Sequence, residues 1–182
     1  HLSYWGEDAI GKLVAAGVTG IRELGGDPDE IAAWKARVDS GDLVGPRFVW
    51  CGPFLEGPAG GDEYRLTVST PEEARAAARQ LAGRGVDFLK IQPRIGAELV
   101  AALVDEAGAA GLYVVGHLPD GVPLEEGVRL GLRSIEHMSP YRGLDEAGLE
   151  RAAALFREHG TWMSPALYSL EAPITARGGD PE

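Results

Sequence analysis

The sequence predicts an α/β fold with a parallel sheet, in the form of a partial (β/α)8 barrel that supplies about six of the eight strands. Short apolar segments alternate along the chain with amphipathic helices, as in repeated βαβ units. They recur at the ordinary spacing of a barrel, but 182 residues fall short of the about 250 that a closed barrel usually takes. We expect residues 1–165 to form the partial barrel, and 166–182 to be an irregular tail or the start of a further barrel loop.

An open, doubly wound sheet of six strands is the alternative fold. Such a sheet has natural edges and would be complete at this length. However, the chain has no Gly-x-Gly-x-x-Gly turn after an early strand, and this turn is typical of dinucleotide-binding doubly wound folds. The partial barrel is therefore the favoured interpretation.

Six strands are predicted, in chain order, from short apolar runs bounded by glycine, proline or polar residues. They cover 18–24, 47–51, 86–91, 112–117, 133–137 and 161–165. Helices with apolar residues at helical spacing are expected at 7–16, 28–38, 71–83, 97–110, 124–130 and 146–158. Asp27, Thr70 and Asp145 are typical N-cap residues, and proline follows the first two, so three of the helices have clear starts.

The segment 52–70, rich in glycine and proline, separates the second strand from the next helix. It is long for a connection in a compact domain, and long loops are more often functional than short ones. We therefore predict that this segment is a loop that covers a bound substrate.

Composition excludes several classes of partner. The net charge of −11 and the pI of about 4.8 argue against nucleic acid and anionic membranes, since both need a basic surface. No apolar run approaches the ~18 residues needed to span a bilayer. The single cysteine, Cys51, ends an apolar run and is interpreted as a packing thiol rather than a nucleophile. A cytoplasmic location is expected, and secretion stays open because the chain begins at His1 without a methionine.

Lys90 is the most unusual residue of the predicted strands, because it stands near the carboxyl end of an apolar run. Alternation places Phe88 and Lys90 on one face and Leu89 and Ile91 on the other. Only three of the 17 lysine and arginine residues are lysines, so a lysine here points to chemistry that arginine cannot do. A desolvated amine can lose its proton and act as a nucleophile, form a Schiff base or add carbon dioxide.

The next two predicted strands each close on a histidine. His117 follows Lys90 by 27 residues and His137 follows His117 by 20, which is room for one crossover helix in each gap. Right-handed crossovers would bring the three strand ends side by side on one rim, where barrel enzymes keep their active sites. We therefore predict that Lys90, His117 and His137 form one catalytic site.

Four segments together resemble the amidohydrolase superfamily, specifically its prolidase-like and imidazolonepropionase-related members. They are Gly17–Gly26 (GVTGIRELGG), Asp87–Ile91 (DFLKI), Val115–His117 (VGH) and Ser134–His137 (SIEH). The ordered set and its gaps match over residues 1–165, although Glu23 stands where aspartate is common in the family.

The resemblance implies a barrel that holds one or two divalent metals, usually zinc, with a carbon dioxide-derived carbamate on the lysine of strand four. It implies that His1, Lys90, His117 and His137 are metal ligands, with His1 as the second histidine of a strand-one pair. The first histidine of that pair would precede residue 1, and a proton-accepting aspartate of strand eight would follow residue 182. We therefore expect a truncated chain that is inactive alone.

Three functions stay open. The first is a metal-dependent hydrolase of amide bonds in a small molecule or short peptide, such as a dipeptide, an Xaa-Pro peptide or a cyclic amide, using metal-activated water. The second is a metal-free barrel in which Lys90 forms a Schiff base, as in aldolases. The third is a non-catalytic fragment that binds metal. A homo-oligomer is possible in each case.

Other polar residues near the predicted strand ends receive simpler interpretations. Glu136 is expected to be a second-layer or helix-facing partner, on the face opposite His137. His159 is expected to be a favourable cation at a helix C-terminus. Four polar residues of the rim loops, which could touch substrate, are predicted to be solvated instead: Asp62, Tyr64, Tyr141 and Arg142.

Overall fold

A computed structural model describes residues 2–59 and 64–166, in which helices and parallel strands alternate. The strands are β1 (Gly20–Glu23), β2 (Arg47–Trp50), β3 (Phe54–Glu56), β4 (Arg65–Thr67), β5 (Leu89–Ile91), β6 (Val114–Gly116), β7 (Ser134–Glu136) and β8 (Trp162–Ser164). The helices are α1 (Asp8–Ala15), α2 (Pro28–Ser40), α3 (Pro71–Gly83), α4 (Ala97–Ala109), α5 (Leu124–Arg129) and α6 (Glu146–His159). The predicted α/β class is confirmed.

The three predicted N-caps form the expected hydrogen bonds. The side chain of Asp27 accepts from the backbone N–H groups of Asp29 and Glu30 at 2.8 and 3.1 Å. Thr70 accepts from Glu73 at 3.2 Å, and Asp145 accepts from Gly148 at 2.8 Å. Each cap satisfies amide groups that have no partner within the helix.

The sheet differs in one respect from the six predicted strands. Segment 52–70 contains β3 and β4, so it is not simply a loop, and its residues 60–63 lie outside the described residues. The main sheet has the order β4-β3-β5-β6-β7-β8, while β1 and β2 form a separate parallel pair. Whether the segment covers a substrate stays a prediction.

Gly52 and Pro53 explain why β3 rather than β2 pairs with β5. Gly52 has a φ of 71°, which turns the chain after β2, and Pro53 cannot donate a ladder hydrogen bond. Trp50 still accepts a hydrogen bond from the backbone N–H of Asp87 at 2.8 Å. Strands β2 and β3 are therefore a bent continuation of one another alongside β5.

Two apolar layers cover the central strands. Leu89, Ile91 and Ile135 pack in the main core against the helices. Phe88 and Val115 lie in a smaller cluster with Cys51, as the alternation along the lysine strand predicts. Cys51 is fully buried, its thiol donates to the carbonyl oxygen of Gly52 at 3.3 Å, and burial raises the pKa of this thiol. Cys51 is therefore a packing residue, as predicted.

The described part of the sheet is not closed. Within residues 2–59 and 64–166, β8 pairs with β7 alone and β1 with β2 alone. Trp162 and Met163 of β8 are exposed. An opening of about 520 Å³ lies beside this edge, lined by Arg22, Val115, Ser134 and strand β8. None of the helices described is long and apolar enough to cross a membrane.

Candidate active site

The predicted site residues Lys90, His117 and His137 lie at the ends of three neighbouring strands. Lys90 pairs in register with Val115 of β6, and Gly116 pairs with Ile135 of β7. Because the strands are parallel, their carboxyl ends meet at the same edge of the sheet. The imidazole rings of His117 and His137 have centroids 4.6 Å apart. The structure thus brings the two histidines together on one rim, beside the lysine strand.

The backbone at the two histidines is unusual and accounts for this closeness. Gly116 has a φ of 137°, and a Cβ atom there would lie 2.2 Å from the carbonyl oxygen of Ile91. Only glycine therefore allows β5 and β6 to approach so closely just before His117. His137 has a φ of 69°, a left-handed conformation that non-glycine residues rarely adopt.

The imidazole of His117 is held neutral. Burial, together with electrostatic repulsion from Lys90 and His137, lowers the pKa of His117 to about 4. Its Nδ1 atom is buried and has no hydrogen-bond partner among the described residues. A neutral imidazole with an unsatisfied ring nitrogen has the chemistry of a metal ligand.

Lys90 is buried on the inner face of β5, with 3% of its surface exposed. Its Nζ atom lies 4.9 Å from the centroid of the Phe54 ring, within the range of a cation–π interaction. Its charge also acts on the neighbouring His117 and Cys51. The amine is therefore in the apolar interior that the sequence predicted for it.

The described residues fit a metal only if Lys90 contributes. No group of three His, Cys, Asp or Glu side chains in residues 2–59 and 64–166 could hold a metal ion. A carbamate on Lys90 would supply two oxygen atoms to the imidazoles of His117 and His137, and oxygen and imidazole nitrogen are ordinary zinc ligands. The unsatisfied Nδ1 atom of His117 is the observation that favours such a group.

His1, the fourth predicted ligand, lies outside the described residues, so its role stays a prediction. The next residue is held in place, since the backbone N–H of Leu2 donates to the carboxylate of Glu23 at 2.8 Å. Burial raises the pKa of Glu23.

Glu136 does not face the helices, and that alternative of the prediction is wrong. Its carboxylate lies in the barrel interior, where it accepts from Arg22 at 3.0 and 3.2 Å and from the hydroxyl of Ser134 at 2.9 Å. Strict alternation would then turn His137 outward. The left-handed φ of His137 brings its ring back toward His117 instead, so both Glu136 and His137 lie inside.

Tyr141 is buried, so the prediction that it is solvated is wrong. The short 3-10 turn Ser139–Tyr141 folds back onto α6, and the ring of Tyr141 packs edge-on against Phe156 at 6.1 Å. Its hydroxyl has no hydrogen-bond partner among the described residues, and burial and the charge of Glu136 raise its pKa.

The remaining rim residues mostly match their predictions. Arg142 is exposed, and His159 is an exposed residue in the last turn of α6, as a C-terminal cation should be. Tyr64 is half-buried against Tyr4, with ring centroids 5.4 Å apart. Asp62 lies outside the described residues.

Sequence reasoning missed Arg22. A charged residue in the middle of the short strand β1 was the available signal, but nothing in the sequence indicates that its partner is Glu136, 114 positions away.

Comparison with known proteins agrees with this geometry. The profile of the amidohydrolase family matches residues 2–180. The chain belongs to the amidohydrolase family. Members of this family generally use divalent metals. A search of curated proteins found no match for this chain.

Solved structures of prolidases and of a bottromycin amidohydrolase share the fold of this chain. A putative prolidase from Bifidobacterium longum is 30% identical, with a TM-score of 0.67; the match covers 80% of this chain and 37% of the prolidase chain. A prolidase complexed with N-methylphosphonate-L-proline is 26% identical, with a TM-score of 0.73; the match covers 96% of this chain and 49% of that prolidase chain. A bottromycin amidohydrolase is 27% identical, with a TM-score of 0.71; the match covers 87% of this chain and 38% of the amidohydrolase chain. The chain thus spans less than half the length of these proteins.

Proposed function

We propose that the protein represented by this amidohydrolase chain hydrolyses amide C–N bonds in small molecules or short peptides, with an Xaa-Pro dipeptide as the preferred candidate. The observation that carries the proposal is the pair of imidazoles, 4.6 Å apart at the ends of adjacent strands next to the buried Lys90. The prolidases among the similar structures, one of them bound to a proline phosphonate, support the choice of substrate.

Each residue of the rim has a part in this proposal. His117 and His137 present imidazole nitrogens, and burial, which lowers the pKa of His117, favours its neutral ring with one nitrogen free of a proton at neutral pH. Lys90, once its amine has added carbon dioxide and lost a proton, presents carbamate oxygens to the same space. A divalent metal, most simply zinc, would polarise the scissile carbonyl and lower the pKa of a water molecule there. Phe54 and Phe88 keep the base of the site apolar.

The proposal includes the expectation that this chain is part of a longer protein. The resemblance assigns the proton-accepting aspartate to the eighth strand of the complete family barrel, which does not correspond to the strand labelled β8 here. General-base catalysis contributes about 10²–10⁴-fold to a rate. We therefore expect the 182-residue chain alone to lack turnover, and a longer parent protein to have it.

The test is hydrolysis of Xaa-Pro dipeptides by the parent protein, before and after chelation. We expect chelation to abolish activity and zinc, manganese or cobalt to restore it. Lys90→Ala should be inactive and partly rescued by a small carboxylic acid, while Lys90→Arg should be inactive because a guanidinium cannot add carbon dioxide. Full activity of the metal-stripped protein would refute the proposal.

The Schiff-base alternative is tested in the same preparation. Borohydride with a carbonyl substrate should leave Lys90 unmodified if the lysine carries a carbamate. A reduced adduct on Lys90 would favour aldolase-like chemistry instead.

A further inference from the structure

An ion pair crosses the barrel interior and links the edge strand β1 to β7, the strand that directly precedes His137. Nη2 of Arg22 lies 3.0 and 3.2 Å from the two carboxylate oxygens of Glu136. Glu136 is 3% exposed and Arg22 is 33% exposed, since Arg22 lines the opening beside β8. The hydroxyl of Ser134 donates to the same carboxylate at 2.9 Å. The side chain of Glu136 is thus held from two directions.

The ion pair lies directly before the left-handed residue of the site. A non-glycine residue keeps a positive φ only where its surroundings hold it. The backbone N–H of His137 donates to the carbonyl oxygen of Ser164 at 2.7 Å, which holds it to β8. Arg22 and Ser134 hold the side chain of the residue before it. The two attachments together hold the backbone rotation at His137, and this rotation decides whether its imidazole points into the barrel or out of it.

We propose that Arg22 is a positioning residue for the imidazole of His137, acting through the carboxylate of Glu136. The inference rests on the proposed function, in which His137 is a metal ligand. Without the guanidinium, the buried carboxylate of Glu136 would keep Ser134 as its donor but lose its charged partner. Turning toward solvent would then lower its free energy, because a buried charge without a partner is costly. The peptide between Glu136 and His137 would then rotate, and the ring of His137 would leave that of His117.

A readout without metal tests this directly. The chain has four histidines, so histidine-labelled protein can be studied by magic-angle-spinning NMR, whether or not the chain associates. We expect a cross-peak between the rings of His117 and His137 in the unaltered chain. It should be lost in Arg22→Met and retained in Arg22→Lys, which keeps the charge. Arg37→Met is the matched control, because Arg37 makes an exposed ion pair with Glu7 far from the rim.

Binding of cobalt(II), followed by absorbance, provides the second readout. Substitution of residues that orient metal ligands typically weakens metal binding by about 10–100-fold. We expect a loss of this size for Arg22→Met and for Glu136→Gln, with little further loss in the double variant, and no change for Arg37→Met. If the unaltered chain binds no cobalt, the metal-binding role proposed for Lys90, His117 and His137 in this chain fails, while the NMR comparison still decides the role of Arg22.

The fold of each variant is checked by the stacking of Phe88 on Tyr113, whose ring centroids are 5.6 Å apart. If Arg22→Met does not fold, Glu136→Gln removes the carboxylate through which Arg22 acts and should lose the ring cross-peak as well. A ring cross-peak that survives in folded Arg22→Met overturns the inference. So does a folded Glu136→Gln chain with unchanged ring contact and cobalt affinity.

Discussion

The central strands β5, β6 and β7 and the edge strands β1 and β8 are all paired in parallel, but they differ in what covers them. Every residue of the central strands is buried. The helices cover their outer face, and the smaller apolar cluster of Cys51, Phe88 and Val115 covers their inner face. Strands β1 and β8 keep exposed residues, including Trp162 and Met163. The candidate site is on the central strands, where both faces are packed, and it depends on the edge through the contact between Arg22 and Glu136.

The largest expected effect on stability distinguishes two residues that lie side by side in register on neighbouring strands. Ile135 of β7 is fully buried, and its partner Met163 of β8 is 43% exposed. Ile135→Ala should lower the free energy of unfolding by about 2–5 kcal/mol, the usual cost of emptying a buried aliphatic site. Met163→Ala should cost less than about 1 kcal/mol, because half of its surface already meets water. Equal losses in chemical denaturation would show that the two strands are equally buried in solution.

The pH dependence of stability should report the buried imidazole of the central strands. The pKa of His117 is about 4 in the folded chain, whereas an unperturbed histidine has a pKa of about 6.5. Between these values the unfolded chain binds a proton that the folded chain does not. The stability of the metal-free chain should therefore fall as the pH is lowered from about 6.5 to about 4.

Denaturant unfolding at several pH values measures this slope. His117→Gln should make it shallower, whereas His159→Gln should leave it unchanged because His159 is exposed. An unaltered slope in His117→Gln would contradict the assignment.

Tyr141→Phe should raise the free energy of unfolding, by less than Ile135→Ala lowers it. The hydroxyl of Tyr141 is buried without a hydrogen-bond partner among the described residues, so its removal should stabilise the chain by about 1 kcal/mol. The ring packing on Phe156 is retained in this variant. A loss of stability, measured by thermal unfolding, would show that the hydroxyl has a partner in the residues that the structure does not describe.

The smallest effect on stability should come from a charge on the open edge. Met163→Lys should change the free energy of unfolding by less than about 1 kcal/mol, yet reduce self-association, because an unpaired strand edge is a template for pairing that lysine blocks. Leu149→Lys, on the exposed face of α6, is the control and should leave association unchanged. Sedimentation of both variants distinguishes them, and equal behaviour would exclude pairing through β8.

Much of the fold could be predicted because its signals are local. The N-caps at Asp27 and Thr70, and the alternation of Phe88 and Lys90 with Leu89 and Ile91, each depend on neighbours within a few positions. The two short strands in segment 52–70 were missed because the segment is rich in glycine and proline and each strand consists of three residues. The burial of Tyr141 was missed because it depends on a turn that folds back onto α6.

The sequence by itself determined the order of the six helices and of six of the eight described strands, the family, and the placement of Lys90, His117 and His137 at the ends of successive strands. These follow from residue type, spacing and the fact that parallel strands end at one edge. The tertiary structure alone decided which way Glu136 and His137 face. Two-residue alternation holds only while the backbone stays extended, and the left-handed φ of His137 is held by Ser164 and, through Glu136, by Arg22. Contacts between residues so far apart along the chain leave no periodic signal in the sequence.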